Sequence, residues 1–472
     1  MSRGKELAKN TLILTIGKIC TQFVSFLLLP LYTALLTPEE YGVVDLYATY
    51  VSLLIPLFNW QFENGLFRFM IDCRGEKDKQ AKLFTTVIIS NVIQSCLYVC
   101  VYLCFQGFLT SEYKIFLLIK VVLGIFLNSL LQFPRGLGNN TTYAVGSFLS
   151  ATITVAFNVV FIAGFKMGAY GMFIATVIAQ LVTILYLAFS QKTWQYFSLK
   201  GFNKDTFKLI FKYSIPLVPN QLSWWVVGAS DRIIVNHFIG IAANGIYSLA
   251  NKFSGVYITF FNIFSLSWTE SVSLHINDED RDVFLKKTIN TMFSLFSSVC
   301  IIIVAAIPLV FPFINSRYYA AYNQIPILML SVLFQTVVGL YSVIYVAFKK
   351  SSEIAKTSIY AAIINIVVDL VLIKFIGLYA ASISTLTAYA VMAIYRYFHV
   401  KKYIDLPFEP IRVVGITVLS LMVVASYYYN SLYTNILMFI IVVAYAIFAN
   451  RSIAKMILKA ALSKVSTKRG SI

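Results

Sequence analysis

The sequence predicts an all-α polytopic membrane protein of about 14 transmembrane helices, built as two parallel six-helix lobes followed by a C-terminal helix pair. Three observations carry this. Of 472 residues, 59% are hydrophobic and 12% charged, against about 45–50% and 25% in soluble domains. Apolar stretches of about 20 residues, the length that crosses ~30 Å of hydrocarbon as helix, recur along the whole chain. A motif near position 168 also returns near position 377 in the same direction.

The spans fall near 11–36, 43–69, 83–109, 115–134, 142–165, 169–190, 213–239, 245–271, 288–314, 322–348, 357–376, 378–398, 411–429 and 432–450. The opening "MSRGKELAKN" is basic, but the apolar stretch after it is too long for a signal peptide and lacks an A-x-A site, so it reads as a retained span. The longest connection is 191–212. Basic residues set the orientation. The side that holds Arg3, Lys77, Lys204, Lys286, Arg396, Lys401 and Arg451 collects 29 of the 38 lysines and arginines, and the other only Lys114, Lys166, Arg317 and Lys374. The positive-inside rule makes the rich side cytoplasmic, with both termini on it. The net charge of +18 is then an orientation signal with affinity for anionic lipid, and no nucleic-acid partner is expected. The tail "RSIAKMILKAALSKVSTKRG" alternates basic and apolar residues at helical spacing and is expected to lie on the cytoplasmic leaflet.

"GAYGMFIATVIA" at 168–179 returns as "GLYAASISTLTA" at 377–388, with five of twelve positions identical and Thr176 matched by Thr385. Asn158 and Asn365 hold comparable places upstream, and "YGVVDLYATY" at 41–50 parallels "NGIYSLANKF" at 244–253. Six spans separate each pair, so both copies cross the membrane in the same sense, as in transporters whose substrate site lies between parallel halves. The expected division is a lobe over 1–200, a second over 201–405, and the helix pair with its basic tail over 406–472.

"DRIIVNHFIGIAANGIYSLANKF" at 231–253 resembles the polysaccharide flippases of the multidrug/oligosaccharidyl-lipid/polysaccharide exporter superfamily, which carry Asp-Arg in the outer part of span 7 and Gly-x-Tyr-Ser-x-Ala opening span 8. Gly245, Tyr247, Ser248 and Ala250 fit. "LLLPLYTALLTPEEYGVVDLYATYVSLL" (27–54) and "ENGLFRF" (63–69) resemble the family's first half. The resemblance implies a multidrug-exporter-like (MATE-like) arrangement of two lobes and export of lipid-linked oligosaccharide units. Many O-antigen flippases of this group have twelve spans. The extra pair here is similar to that of the peptidoglycan lipid II flippase and some capsule exporters, and the resemblance suggests a groove there for the polyprenyl tail.

Within the spans lie Lys18, Arg68, Lys120, Arg232 and Lys252, with Asp45, Glu63, Asp231, Glu270 and Asp369. A charge at the bilayer centre costs on the order of 3 kcal/mol on insertion scales, so such groups face protein or a wet cavity. Lys120 is shallow enough to snorkel, and Arg68 and Glu270 sit at inner ends. Arg232 and Lys252 are candidates for the outer part of a cationic cavity, with Lys18 and Arg68 nearer the cytoplasm. Together they would meet a pyrophosphate head group by charge-assisted hydrogen bonds. The competing reading is ion pairs that lock helices together. Adjacent helical residues do not share a face, so Asp231 and Arg232 are expected to find separate partners. Asp45, Glu63, Asp231 and Asp369 are coupling or ion-pair carboxylates. Glu63 is at the depth of Lys18, and Asp369 is the mid-membrane candidate for proton or sodium. "SIPLVPNQLSWW" at 214–225 puts Pro216 and Pro219 at the start of span 7, where they free backbone carbonyls. Asn220, Gln221 and Trp224 follow as candidate path-lining residues, although tryptophan near an interface also anchors.

Six cysteines and three histidines show no metal spacing, and no nucleophile-base pair or phosphate-cradling glycine loop appears. No cofactor, metal or catalytic residue is expected. The expected partners are a lipid-linked oligosaccharide, membrane lipid, a coupling proton or sodium ion, and polysaccharide polymerase machinery, in a bacterial cytoplasmic membrane. A cation-coupled antiporter of the same superfamily is the nearer alternative, and a membrane polymerase or ligase the more distant one.

Overall fold

A computed structural model describes residue 26 and residues 28–108, 111–198, 201–276, 278–348 and 350–451. Lys18, most of the expected first span and the tail from 452 lie outside the described residues. Among the described residues the fold is all helical. The first helices are α1 (Leu29–Leu35), α2 (Pro38–Asn59), α3 (Phe62–Asp72), α4 (Lys77–Phe105), α5 (Lys114–Leu137) and α6 (Asn140–Asn158, continued by a π-helical turn to Gly164). They are followed by α7 (Gly168–Ser190), α8 (Lys204–Ser214), α9 (Leu217–Phe238), α10 (Ile241–His275) and α11 (Arg281–Val310). The last are α12 (Ile325–Ala347), α13 (Ser351–Ile376), α14 (Tyr379–Val400), α15 (Pro410–Tyr429) and α16 (Leu432–Ala449). Ten of the described helices are long and apolar enough to cross a membrane. α9, α10 and α14 are not among the ten; α9 alone carries Asn220, Gln221, Asp231, Arg232 and His237.

Two expected spans are broken. The second divides at Trp60 and Gln61, both left-handed at φ 54 and 58, a conformation costing about 1–3 kcal/mol per non-glycine residue unless surroundings enforce it. Here they do. Gln94 donates to the Asn59 carbonyl (3.1 Å), Asn59 Nδ2 reaches across the break to Glu63 Oε2 (2.7 Å), and the Trp60 ring packs edge-on against Phe62 and Phe211. The seventh span begins only after Pro216, and the expected connection 191–212 contains most of α8. Asn203 caps that helix by accepting from the Thr206 amide (2.8 Å). Ile210 and Ser214 press on Gly65 of α3, where a Cβ would come within 2.7 Å of both. The amphipathic α8 therefore offsets its ordering cost by burying one face against α3 and α4.

The repeat is visible in the backbone. Gly168 and Gly377, heads of the matched segments, both turn left-handed at φ 53 and 56, a conformation that glycine adopts without steric cost. Gly42 and Gly245, matched in the other repeat pair, meet each other. A Cβ on Gly42 would lie 2.1 Å from the Ile241 carbonyl oxygen, and one on Gly245 would lie 1.9 Å from that of Pro38. Pro38 and Ile241 are themselves repeat counterparts, so the contact is reciprocal. Asn244 Nδ2 adds a hydrogen bond to the Gly42 carbonyl (2.9 Å).

The described chain divides into two compact units, one within Met1–Leu249 and Asp369–Ala381, the other within Ala250–Val368 and Ser382–Ile472. Apolar clusters form among the described residues of the first. One joins Phe62, Leu66 and Met70 of α3 to Phe84, Phe133 and Ile210; another joins Tyr47 and Val51 to Tyr98, Val121, Ile125 and Phe173. In the second unit α11 packs against α12, α15 and α16, and Asn450 donates to Ser298 across α16 and α11 (3.1 Å).

Replacing Gly42 with valine should destabilise the purified protein by about 1–3 kcal/mol or more, the usual range for overpacking. A thermal melt in detergent reads this, with Gly228→Val as control, since a Cβ there meets nothing within 4 Å.

Candidate functional site

Asp231 and Arg232 do find separate partners. Arg232 Nε donates to Asp45 Oδ2 at 2.7 Å, with both side chains 17% exposed, and a guanidinium nitrogen also donates to the Gly228 carbonyl (2.9 Å). Asp45 is held in register by the capping box at the start of α2, where Thr37 accepts from the Glu40 amide and Glu40 accepts from the Thr37 amide. Seven residues further along each helix the same antiparallel seam closes again: Trp225 Nε1 donates to Ser52 Oγ (3.0 Å) and lies 3.3 Å from the Thr49 carbonyl. At ~1.5 Å per residue the two fastenings are about 10 Å apart, enough to fix α9 along α2.

Asp231 points the other way. It is buried, and Oδ2 accepts from the Tyr247 hydroxyl (2.9 Å). Tyr247, on α10, is also 3.4 Å from the Ala381 carbonyl at the start of α14. Asp369 on α13 completes the group: it is 0% exposed, neither carboxylate oxygen has a hydrogen-bond partner among the described residues, and it lies within electrostatic reach of Asp231. Two like charges within electrostatic reach of each other disfavour the state in which both carboxyls are ionised.

The other expected site residues are placed differently. Glu63 is buried, and its described partner is Asn59 rather than a cation. Arg68 is half exposed and pairs with Asp72 one turn on (2.7 Å). Lys252 is exposed on α10, with no ion pair to a described residue; Asn220 and Gln221 are exposed on α9, and Trp224 is half-buried. Lys18 lies outside the described residues.

The sequence pattern described as "Polysaccharide biosynthesis protein" matches residues 7–269. The chain belongs to this family. A curated relative, "Lsg locus putative protein 1" of Haemophilus influenzae, is 22% identical over 254 residues, which span 52% of this chain and 60% of that protein. Among solved structures, "Lipid II flippase MurJ, inward closed conformation" superposes with TM-score 0.72 at 14% identity, covering 96% of this chain and 100% of that one. An inward-facing "multidrug resistance MATE family transporter of the MOP superfamily" gives 0.63 at 14% identity, covering 82% and 97%. This polysaccharide biosynthesis protein therefore shares the helical fold of these two transporter structures.

Two basic residues of this family member were read too simply from position alone. Lys120, expected to snorkel, is 5% exposed and lies over the Phe173 ring, 5.4 Å from its centroid. It shares its helix face with buried Leu117, Val121 and Gly124, a periodicity already present in the sequence. Arg396, grouped with the cytoplasmic charges, is 0% exposed. It donates to Thr357 Oγ1 (2.6 and 3.1 Å), to Ser342 Oγ and to the Val338 and Ile354 carbonyls (3.4 Å each), tying α12, α13 and α14 together. Its signal was the buried stripe Tyr389, Met392, Ala393 and Arg396.

Asp45→Asn or Arg232→Gln alone should destabilise the protein by about 1–3 kcal/mol, because each leaves a desolvated charge unpaired. The double variant should lose less than the two losses added. Additive losses in thermal melts would show that the pair is not coupled.

Proposed function

We propose that the chain flips polyprenyl-pyrophosphate-linked oligosaccharide units across the bacterial cytoplasmic membrane by alternating access of two lobes, 1–200 and 201–405, for cell-surface polysaccharide synthesis. The family match over 7–269 carries this reading. Lys252, exposed and free of a described ion pair, supports a cationic surface for the pyrophosphate, with Lys18 as its counterpart in the first span. Arg232 serves this surface through the α2–α9 seam, and Arg68 stands nearer the cytoplasm beside Asp72. Asn220, Gln221 and Trp224 supply amides and an indole for sugar contact on the path.

The prenyl tail needs an apolar route. A cavity of about 400 Å³ in the second unit is lined by Phe293 and Val304 of α11, Leu333 and Phe334 of α12, and Val413 and Val424 of α15. This supports a tail groove formed with span 13. Coupling is assigned to Asp231 and Asp369, which take up a proton or sodium ion in one state and release it in the other. Asp45 and Glu63 are occupied by Arg232 and Asn59, and serve structure.

A labelled polyprenyl-pyrophosphate oligosaccharide in proteoliposomes tests the reading: the unaltered chain should make it accessible to an added glycosidase. Lys18→Gln with Lys252→Gln should abolish that exposure while the protein stays in the membrane, and undiminished exposure would reject the cationic surface. Exchange of a cationic drug for protons without any glycan movement would favour the antiporter instead.

Asp369→Asn should leave folding intact and remove the response of transport to an imposed proton or sodium gradient. A variant that responds like the unaltered chain would place coupling elsewhere.

A further inference from the structure

The second unit has a further cavity that the transport path above does not use. It lies where α11 ends, between the turn Phe311–Phe313, the helical segment Ser316–Gln324 and the α15–α16 turn at Asn430. Its volume is about 190 Å³, and its walls are Phe311, Pro312, Tyr319, Tyr322, Asn323 and Asn430, with Pro308 behind them. None of these side chains is charged.

The walls are held rigidly. Tyr322 and Tyr427 stack at 4.1 Å with their planes 21° apart, and each hydroxyl donates to the other's backbone carbonyl, at 2.9 and 2.6 Å. Phe311 packs against both Tyr319 (5.7 Å) and Tyr322 (5.1 Å). Asn430 is fixed in the left-handed conformation (φ 52) that ends α15, its amide nitrogen bonded to the Ser426 carbonyl (3.0 Å). Aromatic residues at a membrane surface commonly form an anchoring belt. Here two of the hydroxyls are consumed inside the protein, and the rings enclose a space.

A neutral cavity of rings and side-chain amides has a definite chemical preference. The electron-rich ring faces attract the weakly positive C–H faces of a pyranose, and amides on one rim give and take hydrogen bonds with hydroxyls. A phosphate or a cationic headgroup finds no counter-charge in the walls. The space admits one sugar ring.

We infer that this cavity is a saccharide subsite, holding one neutral sugar of the glycan as it leaves on the outer face. The inference rests on the proposed flippase reading, since that reading sets the orientation. α11 starts at Arg281 and the first turn of α15 holds Arg412, both on the basic side, so their far ends, and the cavity, face outward. The apolar cavity proposed for the prenyl chain uses the same α11 and α15, so tail and sugar would lie along one pair of helices.

The test uses the full chain in phosphatidylethanolamine–phosphatidylglycerol nanodiscs and saturation-transfer NMR. The probes are methyl β-D-glucopyranoside, methyl N-acetyl-β-D-glucosaminide and, as a headgroup control, glycerophosphoglycerol. Transfer to the ring protons of at least one glycoside is expected, reduced about tenfold by Tyr319→Ala and by Asn430→Gly, which removes the amide but keeps the left-handed turn. Tyr319→Phe should retain most of it. Lys252→Gln should leave this glycoside transfer unaltered even though it impairs transport, which separates this cavity from the cationic surface. No transfer to either glycoside, transfer indifferent to these variants, or transfer to glycerophosphoglycerol alone would overturn the subsite. Should the unaltered chain translocate glycan without binding glycosides, the subsite falls and the flippase reading stands. Glycoside binding without translocation would keep the subsite and remove the flippase reading.

Discussion

The ion pair between Arg232 and Asp45 organises much of the first unit, because a charge in an apolar segment must be compensated by the fold itself. Asp231 and Arg232 are neighbours in sequence and about 100° apart around α9, so compensation is sent in two directions at once. Arg232 fastens α9 to α2, and Asp231 reaches Tyr247 on α10. Removing either partner would leave a charge where water is scarce, at a cost on the order of 3 kcal/mol. The reciprocal contact of Gly42 and Gly245 lets α2 and α10 come close enough for this arrangement: with side chains at those positions, the backbones would be forced apart.

Polar groups within the spans then sort by what they can do. Those with charged or multiple polar partners, such as Arg232 with Asp45 and Arg396 with its ring of hydroxyls and carbonyls, hold helices in place. Those left with capacity are the ones to which transport is assigned: Asp369, whose oxygens have no hydrogen-bond partner among the described residues, and Lys252, which is exposed. A fold whose structural charges are paired and whose working charges are not can change shape without breaking its fastenings. This division of labour links the packing to the proposed export of an anionic lipid-linked glycan.

Much of this was legible in the sequence, for physical reasons. Apolar length marks spanning helices because the bilayer thickness is fixed, and the Gly-x-Tyr heads mark repeats because the left-handed turns at Gly168 and Gly377 tolerate little else. The break at Trp60–Gln61 was not legible. It depends on Gln94 and Phe211, residues distant in sequence, to hold two non-glycine residues in a strained conformation. α8 was hidden because its apolar face is too short to resemble a span and is completed only by Gly65. For the site, the divergence of Asp231 and Arg232 followed from helix geometry, but their partners did not. Lys120 and Arg396 are buried because helix face decides burial, which depth along the chain does not reveal.

The central question is whether water reaches the cationic Lys252 and the polar start of α9. Its most direct measurement is thiol labelling of a chain with its six cysteines replaced by serine. Single Asn220→Cys, Gln221→Cys and Lys252→Cys variants would be treated in intact cells and inverted vesicles with a charged, membrane-impermeant methanethiosulfonate. The account predicts that all three react, and that added lipid-linked glycan slows the reaction at 252. If all three stay unlabelled from both sides while an exposed control such as Ser316→Cys reacts, there is no aqueous path, and the account fails.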